Sequence, residues 1–134
     1  MAKKCAVLKN ENLQADILLD WDYRRSRYDW GGTVGQVTMN GHTFLSEERN
    51  TAGGVGLGGV GLTNVWEWQD THLYDQTSIT DFFPLPGVGL LKKTDTNPFL
   101  FTKEYPVEPF RRIEEVTEDR VTIRTLPHLC QGVA

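Results

Sequence analysis

The sequence predicts an all-β protein, built as an antiparallel β-sandwich, and three observations carry that expectation. Asn40-Gly41 lies between two apolar stretches, residues 34–39 and 42–45, and this dipeptide is the strongest short-range hairpin signal. Leu13, Ala15, Ile17 and Leu19 recur at a period of two, which marks a strand with one buried face. Thirteen glycines and six prolines punctuate the chain, and no stretch carries a long helical period. The 134 residues are read as a single domain, 1–134, large enough to bury a core.

The elements follow in order. Residues 4–8 form a short apolar run, and Asn10-Glu11-Asn12 turns the chain into the alternating strand. Residues 21–30 interleave four aromatics with three arginines and two aspartates. That composition suits a surface that binds something flat; it equally suits a connection whose aromatics cap the core edge. In the hairpin, Val34, Val37 and Met39 are the apolar set, Gly35 allows a bulge or a close backbone approach, and Phe44-Leu45 forms the return strand. Residues 64–68 read as a short strand and residues 72–83 as a loop. Pro84-Leu85-Pro86-Gly87 punctuates before the apolar segment 88–91, and the two prolines within residues 105–110 demote that run to an edge strand. Residues 111–116 and 120–126 make a final hairpin with Val121 and Ile123 inward.

Composition excludes several classes. The net charge of -4 is concentrated in residues 31–102, where three Lys/Arg face seven Asp/Glu. An acidic centre repels phosphate backbones, so nucleic acid is not an expected partner. No apolar run reaches the length of a membrane span, and no signal peptide is read at the N-terminus. Cys5 and Cys130 are expected to be reduced thiols, and the expected location is cytoplasmic.

No catalytic constellation stands out, and no cofactor or metal site is expected. His42, His72 and His128 lack zinc-ligand spacing with a third partner. The glycines of residues 53–62 fit a G-x-G-x-x-G pattern twice, but polar residues precede them and no helix follows, so they are read as a loop. Glu67 lies between Trp66 and Trp68; on a strand the carboxylate takes one face and the indoles the other. Aromatic faces stack on sugars while carboxylates accept hydrogen bonds from hydroxyls, so a sugar is one reading and a core strand with a solvated acid is the other.

Four stretches resemble the N-terminal part of aldose 1-epimerase (galactose mutarotase-like) proteins. They are Ser26-Arg27-Tyr28-Asp29-Trp30-Gly31-Gly32, residues 36–45 with Glu47-Glu48, Gly61-Leu62-Thr63-Asn64, and residues 83–91 with Lys92. The resemblance implies a β-sandwich with a sugar site on a concave sheet face. It also implies a general-acid histidine and a general-base glutamate in the later half of family members, a half this chain is expected to lack. None of its histidines matches the catalytic one. As a short stand-alone chain it also resembles products of mobile integron gene cassettes. The resulting expectation is a truncated sandwich that binds a carbohydrate or polyol without catalysing, through Arg27, Asp29, Trp30, Glu48, Trp66 and Glu67. A homodimer is expected to cover the exposed sheet. The alternatives are an interaction module whose aromatic surface is a dimer interface, and an epimerase-like site completed across a dimer.

Overall fold

The structure is a computed structural model that describes residues 4–20, 30–46, 61–64, 71–100 and 103–126. These residues form antiparallel β-sheets with one short helix, as an all-β protein should.

The first sheet has the order β1 (Cys5–Lys9), β2 (Leu13–Leu18), β3 (Val34–Met39), β4 (His42–Thr43). The β1–β2 turn is built by Asn10, whose Oδ1 accepts hydrogen bonds from the N–H groups of Asn12 and Leu13, both at 2.9 Å. The β3–β4 turn places Asn40 and Gly41 at φ 51° and 77°, the left-handed pair that a two-residue hairpin needs. The expected bulge is present. Asp16 pairs with Gln36 and Ile17 with Val34, so Gly35 is the extra residue. A Cβ on Gly35 would lie 2.8 Å from the Leu18 side chain, which fills that space.

The return strand lies earlier than expected, at His42–Thr43 in place of Phe44-Leu45. It ends at Thr43, although Phe44 N–H still donates to Val37 O at 3.0 Å. The Gln36 side chain then takes over from the backbone, accepting from Leu45 N–H at 2.9 Å and donating to Leu45 O at 2.8 Å.

The second sheet has the order β5 (Phe82–Leu85), β6 (Gly89–Lys92), β7 (Val107–Pro109). Pro109 sits on an edge strand, where a missing N–H costs no ladder bond. A helical turn, α1 (His72–Gln76), precedes this sheet. The loop expected over residues 72–83 is corrected on two counts, since it contains α1 and the start of β5. A five-residue helix is too short to leave a periodic signal. The third element is the expected hairpin of β8 (Arg111–Val116) and β9 (Val121–Leu126). The strand expected over residues 64–68 lies almost wholly outside the described residues.

Two apolar cores result. An aliphatic core joins Ala6 and Ile17 of the first sheet, and Leu19 just after β2, to Val121 and Ile123 of β9, so the hairpin's inward residues are those expected. An aromatic core gathers Trp30, Tyr74, Phe83, Val88, Leu91 and Tyr105, with Phe99 against it. Its rings meet largely edge to face, as between Tyr74 and Phe83 with centroids 5.0 Å apart, while Phe99 stacks on Tyr105 at 5.7 Å.

Candidate functional site

Five of the six residues expected to hold a ligand, Arg27, Asp29, Glu48, Trp66 and Glu67, lie outside the described residues. The sixth is Trp30, and its indole is 4% exposed within the aromatic core. Stacking on a sugar needs a free ring face, so the placement of Trp30 on an open ligand face is corrected. Its role matches the other reading of residues 21–30, in which aromatics cap the core edge.

What the described residues establish is where the candidate stretches begin and end. Leu62 and Val34 exchange two backbone hydrogen bonds of 2.9 Å. Thr33 Oγ1 donates to Thr63 Oγ1 at 3.1 Å, and Gly61 N–H donates to Ser46 O at 3.3 Å. Residues 33–34, 46 and 61–63 therefore stand side by side. In sequence Asp29 precedes Thr33 by four residues, Glu48 follows Ser46 by two, and Trp66 follows Thr63 by three.

Arg112 completes the arrangement. Its guanidinium donates to Trp30 O at 2.8 Å and to Leu19 O at 3.0 Å. One planar fork thus joins β8 to the two chain positions that bracket residues 20–29, a geometry that a lysine ammonium does not reproduce. Trp30 N–H donates to Gly87 O at 2.9 Å, which fixes the same point to the β5–β6 turn. Arg112 was not among the expected site residues. In sequence it is one of several charges on a hairpin, and only the tertiary fold reveals its carbonyl partners.

A second polar device lies in the aromatic core. Lys93 is 8% exposed; its Nζ donates to Tyr74 O at 3.0 Å and stands 4.3 Å from the centre of the Tyr74 ring. A cation at the last carbonyls of α1 opposes the negative end of the helix, and the ring face adds to the attraction. The Tyr74 hydroxyl donates to Asn97 O at 2.7 Å. Burial pushes the Tyr74 phenol up to about 12, and the neighbouring Tyr105 and Asp95 add to the shift. Lys103 beside Asp95 holds that carboxyl below its usual range by donating a hydrogen bond, with help from Asn97 N–H.

The folded state thus favours neutral Tyr74, whereas the unfolded chain loses this proton near pH 10.0. The stabilisation is fully present below about pH 10 and is lost as pH rises toward about 12. The expected result is a thermal midpoint that falls across this window. Tyr74→Phe should have a lower midpoint at neutral pH, through loss of the Asn97 bond, and a shallower alkaline slope. Equal slopes in the two proteins would remove Tyr74 as the cause.

His42 is exposed and meets Phe44 edge to face at 4.7 Å. His72 starts α1, and His128 and Cys130 lie outside the described residues. Among the described residues no group of three His, Cys, Asp or Glu side chains could hold a metal ion, and no helix is long and apolar enough to cross a membrane. Comparisons with protein-family models, curated proteins and solved structures return no match.

Proposed function

We propose that this chain is a carbohydrate- or polyol-binding protein on a galactose mutarotase-like β-sandwich, acting as a homo-oligomer. The observation that carries the site is the convergence of residues 33–34, 46 and 61–63. Arg27, Asp29, Glu48, Trp66 and Glu67 each lie within six residues of one of these anchors in sequence. Guanidinium, carboxylate and indole groups so near in sequence to one set of converging anchors support recognition of a polyol. Packing of the β8–β9 hairpin across the apolar face of the first sheet supports the sandwich reading.

Titration with galactose, glucose and other free sugars should give a saturable change in tryptophan fluorescence in the millimolar range. Asp29→Asn should weaken binding by about tenfold or more, as expected when a charged hydrogen-bond acceptor is neutralised. Absence of any response across the sugar panel would reject the reading. The same sugars should show mutarotation no faster than buffer in a polarimeter; acceleration would instead favour an epimerase-like site completed across a dimer.

A second reading, an interaction module, is favoured by a separate observation. Leu13 and Met39 pair directly across β2 and β3 and are exposed, and Phe44 beside them is 52% exposed. This end of the sheet's apolar face is thus left open, and its burial against another chain would be favourable.

A further inference from the structure

The edge of β8 carries a charge pattern that is complementary to itself. Thr117 N–H donates to Arg120 O at 2.8 Å where the β8–β9 ladder closes. Hydrogen-bonded pairs alternate along an antiparallel ladder. Given the registers Arg111↔Leu126, Ile113↔Arg124 and Glu115↔Thr122, the odd-numbered residues turn their backbone groups toward β9. Arg112, Glu114 and Val116 therefore turn their N–H and C=O groups outward. Among the described residues no further strand pairs with that side of β8.

The side chains alternate in the complementary sense. Glu114 and Arg112 point inward, to Lys4 Nζ at 3.3 Å and to the Leu19 and Trp30 carbonyls. Arg111, Ile113 and Glu115 are exposed on the outer face, Ile113 at 36%.

We propose that β8 is the strand through which two copies of this chain pair, antiparallel about a two-fold axis at Ile113. This rests on the homo-oligomer reading above and names its interface. In this register Arg111 faces the partner's Glu115, Glu115 faces the partner's Arg111, and the two Ile113 side chains meet at a closely spaced, non-hydrogen-bonded pair. The outward groups of Arg112 and Glu114 bond to those of the partner's Glu114 and Arg112. The two hairpins become one four-stranded sheet, and each outer-face ion pair occurs twice by symmetry.

Neighbouring registers do worse. Centring on Arg112 or on Glu114 sets like charges opposite one another, which is destabilising. Other described edges lack the pattern. The five residues of β1 carry one charge, Lys9; β4 has two residues; β5 and β7 contain Pro84 and Pro109. In β9, pairing centred on Thr122, Ile123 or Arg124 sets Arg124 against or beside an arginine of the partner.

The test is a charge reversal read by sedimentation equilibrium at micromolar concentration. The wild type should show twice the 15.2 kDa chain mass, with a dissociation constant that rises with salt. Glu115→Arg should raise that constant at least about tenfold, because two like-charge pairs are created at once. Arg111→Glu should do the same, so the test does not depend on one variant folding. The double reversal, Arg111→Glu with Glu115→Arg, should restore the wild-type value. A wild type of 15.2 kDa throughout would overturn both this interface and the homo-oligomer reading. A dimer that tolerates the single reversals, or is not rescued by the double one, would overturn the β8 interface alone.

Discussion

Trp30→Ala is expected to lower the free energy of unfolding by about 3–5 kcal/mol, the range for removing a large aromatic from a packed core. The indole is 4% exposed among Tyr74, Phe83, Val88, Leu91 and Tyr105, so its removal leaves a cavity that the surrounding rings cannot fill without leaving their edge-to-face contacts. Against a typical total of about 5–15 kcal/mol, this brings the protein close to unfolding at room temperature. A urea denaturation series monitored by far-ultraviolet circular dichroism measures it, and Trp30→Phe should recover part of the loss. The alternative makes a different prediction. An indole displayed for a ligand could be removed for less than about 0.5 kcal/mol, as at surface positions away from special features. A midpoint within that margin would return Trp30 to the ligand face.

The same residue shows why the site was less legible than the fold. Local chemistry fixes a hairpin, and Asn40-Gly41 specified both the turn and its two positive φ values. The bulge at Gly35 and the inward pair Val121 and Ile123 were readable for the same reason, since period-two patterning and a missing side chain act over a few residues. The edge position of β7 followed from Pro106 just before it and Pro109 within it. Burial of an aromatic in a connecting segment is a long-range property. Residues 21–30 mix tryptophan, tyrosine, arginine and aspartate. Nothing local says that Trp30 is buried in the aromatic core.

Arg112 and Lys93 were missed for a related reason. Their partners are main-chain carbonyls, and carbonyls have no sequence signature. Lys93 sits 19 residues from the carbonyl it binds, and Arg112 sits 82 and 93 residues from its two. Both cations tie the ends of irregular segments to regular structure. Arg112 links the aliphatic core, where Leu19 belongs, to the aromatic core, where Trp30 belongs. A hairpin that supplies both this fork and the Val121–Ile123 pair couples the two cores.

Gly61→Ala is the second substitution expected to have a large effect, and it tests the convergence on which the site rests. Gly61 has φ +62°, and a Cβ built there would fall 1.9 Å from Val34 O and 3.0 Å from the Gly35 Cα. These are backbone atoms of the bulged strand, so no rotamer change relieves the overlap. The two hydrogen bonds between Leu62 and Val34 must then open, and residues 61–64 separate from residues 33–34. Gly41 provides the control. Its φ is +77°, but a Cβ there would meet nothing within 4 Å, so Gly41→Ala bears only the left-handed backbone cost of about 1–2 kcal/mol. Gly61→Ala bears that cost together with the loss of the two bonds. It is expected to exceed Gly41→Ala by about 1–3 kcal/mol in urea denaturation, with faster amide exchange at Val34 and Leu62. Sugar affinity should fall with Gly61→Ala and hold with Gly41→Ala, since only the former moves the segment leading to Trp66 and Glu67. Equal stability losses, with the Val34 and Leu62 amides still protected, would show that the bulged strand yields to the methyl group and that the close approach at Gly61 does not hold these segments together.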